Sequence, residues 1–232
     1  MPQINSNMKQ FWEDKSRESG SILSAIEGLE KKGYSLFSGD ENDNRFDLKV
    51  KKDNKEYKVE VKQDFTCFNT NNVGIEYSCR GKDSGIMVSK ADMLIMKIHQ
   101  NPKRAIVAKN EKSVNDIKVL RVTKKKLKNV ITAILSLEDE IRGKEEYARE
   151  IGATIKNSRV RGTKRDFFVY KTKDGKDIEY RLVNGGDTGS ASLNVLFKRE
   201  EFMENFCQES FEHRTATQQE INDRVSSLNT RR

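Results

Sequence analysis

Phe46-Asp47-Leu48-Lys49-Val50-Lys51-Lys52-Asp53-Asn54-Lys55-Glu56-Tyr57-Lys58-Val59-Glu60-Val61-Lys62 is the stretch that decides how this chain folds. Phe46 to Val50 and Tyr57 to Val61 both alternate apolar with polar or charged residues, and Lys52-Asp53-Asn54-Lys55 between them reads as a turn. Two paired strands are expected. Glu60 and Lys62, two residues apart, project from one face of such a strand, while Val59 and Val61 project from the other and anchor it in a core. Pairing around Asp53-Asn54 brings Asp47 near the level of Glu60, and two hard oxygen ligands can share one Mg²⁺. Such an ion lowers the pKa of a bound water, orients it and screens the charge that builds on a scissile phosphate, while a lysine positions that water or stabilises the transition state. The competing reading is chance, because an exposed hairpin face rich in Lys, Asp and Glu often contains Glu-x-Lys with no chemical role.

Working outward, three segments follow in order: Asn71-Asn72-Val73-Gly74-Ile75-Glu76-Tyr77, Arg80-Gly81-Lys82-Asp83-Ser84-Gly85-Ile86 and Ser89-Lys90-Ala91-Asp92. With these residues the chain resembles the PD-(D/E)XK nuclease superfamily, in which an Asp in a hairpin strand precedes a Glu-x-Lys strand. A strand ending in Ile-Glu, a Ser-Gly-Ile segment and a Thr/Ser-x-Ala-Asp segment then follow. The resemblance runs from Asp47 to Asp92 and covers roughly the first half of the chain. It implies a restriction-endonuclease-like core, Asp47 and Glu60 as metal ligands, the Val61 carbonyl as a further ligand and Lys62 as the catalytic lysine. It also implies supporting or DNA-binding roles for Glu76, Ser84 and Lys90. An acid on the first helix is frequent in the superfamily; Glu18 fits by placement, and Glu27 competes with it. One departure is Phe46, where the family's searchable motif has Pro.

Lys plus Arg number 44 against 36 Asp plus Glu, a formal net charge of +8 over 232 residues. That excess suits a nucleic-acid partner, since basic side chains that neutralise phosphates release condensed counterions. The clearest lysine clusters are Lys49 to Lys62 and Lys124-Lys125-Lys126-Lys128. Arg80 and Lys82, and the basic stretch containing Arg159, Arg161, Lys164 and Arg165 with Phe167, Phe168 and Tyr170, are further candidates for gripping a phosphate backbone. No apolar run approaches a membrane span and the N-terminus lacks a signal-peptide apolar region, so a cytoplasmic protein is expected, in the host cytoplasm if the source is viral. Cys67, Cys79 and Cys207 lack zinc-site spacing and read as free thiols; His99 and His213 stand far apart without motif context.

For organisation, a helix is expected from about Met8 to Lys32, stopped by Gly33, and the hairpin follows it. Strands are then expected near Val73 to Cys79, Ala105 to Ala108 and Lys118 to Val122, with a strand or short helix at Ala91 to Ile98. Thr123 is a candidate N-cap for a helix Lys124 to Leu137, and Glu138 to Ile151 is charged and helical. Asp174-Gly175 marks a hairpin between Phe167 to Thr172 and Asp177 to Val183. Asn184-Gly185-Gly186-Asp187-Thr188-Gly189 lacks the Gly-Lys-Ser/Thr of a phosphate cradle and reads as a loop, followed by a strand at Leu193 to Phe197 and a short helix at Glu200 to Cys207. The expected fold is α/β, a central mixed sheet flanked by helices with a C-terminal elaboration. Residues 1–137 form its core, 138–212 an elaboration of the same domain and 213–232 a polar tail. By analogy with phage-type members, the strand after the glycine loop is expected to join the core sheet.

The function expected from the resemblance is a DNA endonuclease dependent on Mg²⁺, with Mn²⁺ able to substitute, compatible with a homodimer on duplex or branched DNA. The alternatives are a non-catalytic DNA-binding protein on a nuclease-like fold, or a junction resolvase or exonuclease of the same superfamily.

Overall fold

The computed structural model describes residues 25–38, 46–64, 67–99, 117–153, 159–162, 166–185 and 191–213. The chain divides into two compact units built from interleaved segments. Met1–Thr70, Lys90–Val122 and Gln208–Arg232 form the first, Asn71–Ser89 and Thr123–Cys207 the second.

The first unit holds a six-stranded sheet of β1 (Ser35–Ser38), β2 (Leu48–Lys52), β3 (Lys55–Asp64), β6 (Met93–His99), β7 (Ile117–Val122) and β11 (Cys207–His213), in the order β1-β2-β3-β6-β7-β11. β2 pairs antiparallel with both β1 and β3, and β6 antiparallel with β7, but β3 and β6 run parallel. The sheet is therefore mixed. The β2–β3 turn is Asp53-Asn54, both residues at positive φ (52° and 60°) with Lys52 opposite Lys55. Two left-handed residues in a two-residue loop match the twist of the flanking strands, and Asp and Asn tolerate that backbone better than other side chains.

One face of this sheet is covered by α1, whose described part is residues 25–31. Ala25, Ile26 and Leu29 of the helix pack with Leu48 and Val50 of β2, Val59 of β3 and Met93 and Ile95 of β6. Val59 is wholly buried, and burying an aliphatic side chain of this size stabilises the fold by about 1.5–3 kcal/mol. Gly33 (φ +81°) ends the helix: its N–H donates to the Glu30 carbonyl and the Tyr34 N–H to the Leu29 carbonyl, the paired closure of a Schellman motif.

Parallel pairing requires a long crossover from β3 to β6. It starts with α2 (Cys67–Thr70), capped by Asp64, whose Oδ1 accepts the Cys67 N–H at 2.8 Å. It then contributes β4 (Asn72–Cys79) and β5 (Lys82–Asp83) to the second unit. There the five-stranded sheet β5-β4-β10-β9-β8 is antiparallel throughout, with β8 Phe168–Lys171, β9 Asp177–Gly185 and β10 Ser192–Lys198. Phe197 of β10 packs with Phe202 and Phe206 of α4 (Arg199–Phe206), ring centroids 5.4–6.1 Å apart. The long helix α3 (Lys124–Glu150) buries Leu127, Val130, Ile131, Ile134, Ile141 and Ala148.

The α/β class and the hairpin agree with the sequence, and three features differ from it. The strand after the glycine loop pairs with β4 and β9 in the antiparallel sheet and does not join the mixed one, because the short β8-β9-β10 connections keep these strands neighbours. Lys124 to Glu150 is one helix where two segments were expected. β1, α2, β5 and β11 form where no element was expected. The expected strand Ala105 to Ala108, Glu18, Lys164 and Arg165, the loop residues 186–190 and the tail beyond His213 lie outside the described residues.

Candidate functional site

Within the β2–β3 hairpin the register pairs Lys51 with Glu56, Lys49 with Lys58 and Leu48 with Val59. Asp47 lies just before β2, beyond the last ladder pair, and its backbone and carboxylate meet β3 at Val59 and Val61. Glu60 and Lys62, two apart on β3, share the face opposite to Val59 and so stand on the side away from α1, with the Asp47 carboxylate reaching the Val61 N–H between them. Asp47 is fixed at both ends. Its N–H donates to the Val59 carbonyl at 2.8 Å, and its Oδ2 accepts the Val61 N–H at 2.5 Å. The Lys62 Nζ lies 2.7 Å from Glu60 Oε1; the lysine side chain is 53% exposed and the glutamate 12%, which leaves the lysine open to a ligand while the acid is largely covered.

The backbone direction at Val61 suits a carbonyl ligand. The N–H and C=O of one strand residue point to the same neighbour. The Val61 N–H reaches Asp47, so its carbonyl is aimed along that same side, beyond the last ladder pair Leu48↔Val59. On the other flank, the parallel register sets Leu94 beside Glu60 and Met96 beside Lys62. Both are buried, at 3% and 1% exposure, so the charged group borders an apolar wall. Among the described residues no group of three or more His, Cys, Asp or Glu gathers as a metal site. Two carboxylates and a carbonyl nonetheless fit Mg²⁺, a hard ion commonly held by one or two carboxylates while keeping several waters.

Glu76, Ser84, Arg80, Lys82 and Arg161 belong to the second unit, whereas Lys90 belongs to the first. Ser84 Oγ donates to Glu76 Oε1 at 2.5 Å, tying the Ser-Gly-Ile segment to β4. Gly85 (φ +50°) passes so close to the strand that an added Cβ would collide with the Glu76 carbonyl oxygen. Two lysines of α3 hold the same segment: Lys124 Nζ donates to the Ser89 carbonyl at 2.7 Å and Lys128 Nζ to the Met87 carbonyl at 2.5 Å. Part of the basic cluster at the start of α3 therefore serves loop anchoring, which its sequence does not distinguish from a phosphate-binding run. Arg80-Gly81, both at positive φ, make the exposed β4–β5 turn that leads into Lys82.

Lys90 is exposed just ahead of β6. The Ser-Lys-Ala-Asp motif instead acts through Asp92, whose N–H donates to the Lys58 carbonyl while its Oδ2 accepts the Lys58 N–H, each at 2.8 Å. This clasp sets the parallel register that places Leu94 against Glu60. In the basic stretch of the second unit, Arg159 is engaged by Glu138 and Glu145 at 3.1 and 2.7 Å, whereas Arg161 is exposed, its guanidinium 5.3 Å from the Phe168 ring centre.

No protein-family model matches this chain, and neither a curated protein nor a solved structure is similar to it.

Proposed function

We propose that the protein is a Mg²⁺-dependent DNA endonuclease that hydrolyses phosphodiester bonds at the β2–β3 hairpin. The observation that carries this reading is Glu60 and Lys62 on one face of β3, the ammonium 2.7 Å from Glu60, with the Asp47 carboxylate held by the N–H of Val61 between them. Asp47, Glu60 and the Val61 carbonyl would hold the ion, which would supply water activation and charge screening at the phosphate. The Val61 N–H keeps the Asp47 carboxylate oriented. Lys62, pinned by Glu60 yet half-exposed, presents its positive charge to a phosphate oxygen as negative charge develops there. Leu94 and Met96 exclude water from one flank, which strengthens these electrostatic contacts. The net charge of +8 supports a polyanionic substrate.

A second reading, a non-catalytic DNA-binding protein, is favoured by the Glu60–Lys62 ion pair, because a closed pair of this kind also serves as a purely structural contact. The two separate in one experiment: labelled linear, single-stranded, flapped and four-way-junction DNA incubated with Mg²⁺, Mn²⁺ or EDTA, beside Lys62→Ala. The nuclease reading expects metal-dependent cutting that the variant loses while retaining DNA binding, and the preferred substrate distinguishes endonuclease, resolvase and exonuclease. Binding without cutting under every metal overturns it in favour of the second reading.

A further inference from the structure

We infer that Lys49 and Lys58 form a phosphate-holding rung that seats the DNA backbone beside the acidic pair Asp47 and Glu60, one same-face step along β3 from Glu60. This inference rests on the reading of the partner as DNA, and its binding test is independent of cleavage.

From the turn towards the site, successive rungs on the face away from α1 are Lys51/Glu56 and Lys49/Lys58, after which Glu60 and Lys62 continue the same face of β3. Like charges placed directly opposite each other in an antiparallel pair are destabilising, and Lys49/Lys58 is such a rung. Both ammonium groups lie over a single aromatic ring, that of the buried Phe46, with Lys49 Nζ 5.3 Å and Lys58 Nζ 5.2 Å from its centre. The negative face of the ring is attractive to cations, so one side chain gathers two positive charges at one level of the hairpin. Phe46 stands where the resembled family carries Pro, and the aromatic ring supplies what Pro lacks. Asp92 reinforces the placement by holding the Lys58 backbone through both of its clasping bonds.

The spacing points to a nucleic-acid backbone. Adjacent same-face rungs are two residues apart, about 6.8 Å along a strand. That step is short enough for neighbouring phosphates of one strand to lie at Glu60 and at the lysine rung. The acidic pair, which repels a bare phosphate, gains a neighbouring anchor that holds the chain against that repulsion.

The test is the salt dependence of binding of the full-length protein to a labelled duplex, read by fluorescence anisotropy across a KCl series in EDTA, where no metal-dependent cutting occurs. Each phosphate that is no longer neutralised makes the log–log slope shallower by about 0.9, so Lys49→Gln/Lys58→Gln is expected to flatten it by nearly two. Lys49→Arg/Lys58→Arg keeps both charges and is expected to retain the wild-type slope. Lys144→Gln, which removes a lysine paired with Glu140 on α3, is expected to leave the slope unchanged. An unchanged slope in the double Gln variant, an equal flattening in Lys144→Gln, or no duplex binding by the wild type overturns the inference. Cleavage with an unchanged slope would leave the nuclease reading standing without the rung. A flattened slope without cleavage would keep the rung and remove the nuclease.

Discussion

Lys97 offers a quantitative test of the first unit's core. It lies on β6, on the same face as Met93 and Ile95 and beneath α1, and is 3% exposed. Burial pushes its ammonium down from 10.5 to about 8, a shift that the Glu27 carboxylate on α1 partly opposes. A displacement of that size corresponds to roughly 3 kcal/mol of disfavoured charge. Lys97→Met keeps an unbranched side chain of similar length and removes the charge, so it should stabilise the protein at pH 7. Glu27 loses a favourable neighbour in the exchange, which leaves an expected gain of about 1–3 kcal/mol. The sign with pH follows from proton counting. Between about pH 8 and 10.5 the unfolded chain holds a proton on Lys97 that the folded chain has released, so wild-type stability rises with pH in that window. The advantage of Lys97→Met is therefore complete below pH 8 and shrinks above it. Urea unfolding followed by circular dichroism at pH 7 and about pH 9.5 measures both quantities. A variant less stable than wild type at pH 7, with a gap that does not change with pH, would refute the reasoning and show that the Lys97 ammonium is fully compensated by its surroundings.

Three further outcomes are expected. Gly85→Ala combines a left-handed backbone with a Cβ driven into the Glu76 carbonyl and should cost about 2–4 kcal/mol in thermal unfolding, whereas Gly81→Ala, at φ +74° in open space, should cost only about 1–2 kcal/mol. Tyr180→Phe removes the 2.5 Å bond to Glu138 and should cost about 1–3 kcal/mol. Burial, then the bond to Glu138, raises the Tyr180 pKa above 10, so the unfolded chain releases that proton first. Wild-type stability from this group is intact below pH 10 and lost as pH rises above it, and the Phe variant should lack that loss in alkaline unfolding curves. Cys67 is fully buried whereas Cys79 and Cys207 are half-exposed, so a thiol reagent should titrate two groups in the native protein and three in urea.

What could be read in advance follows from where the determining contacts lie. The β2–β3 hairpin is legible because its alternation, its Asp-Asn turn and its register from Lys52/Lys55 to Leu48/Val59 all reside within one short run of consecutive residues. The sheet to which Leu193 to Phe197 belongs is not legible in this way. β10 has the alternation of any half-buried strand, and its pairing with β4, far earlier in the chain, is a long-range packing outcome. β1 is only Ser35-Leu36-Phe37-Ser38, too short for a period to register. The break expected near Leu137 reflects the rise in charge after it, yet Ile141 and Ala148 continue the buried side of α3. Of the candidate site residues, the triplet is legible as a local pattern. The structural duties of Asp92, Lys124 and Lys128 depend on partners 34 to 41 positions away and have no local signature.

The interleaving of the two units constrains how this protein is made and altered. The chain passes from one unit to the other four times, after Thr70, Ser89, Val122 and Cys207. No single cut releases either unit as an intact piece. On the ribosome the hairpin with Asp47 and Glu60 precedes its parallel neighbour β6, which follows only after the β4–β5 excursion. The edge strand β11 is made only once the whole second unit has been translated, so the mixed sheet waits for that unit before it gains this strand. Gene fragments, shuffled halves and internal deletions should lose both units together, and tags are better placed at exposed turns such as Asp174-Gly175 than at any junction between segments.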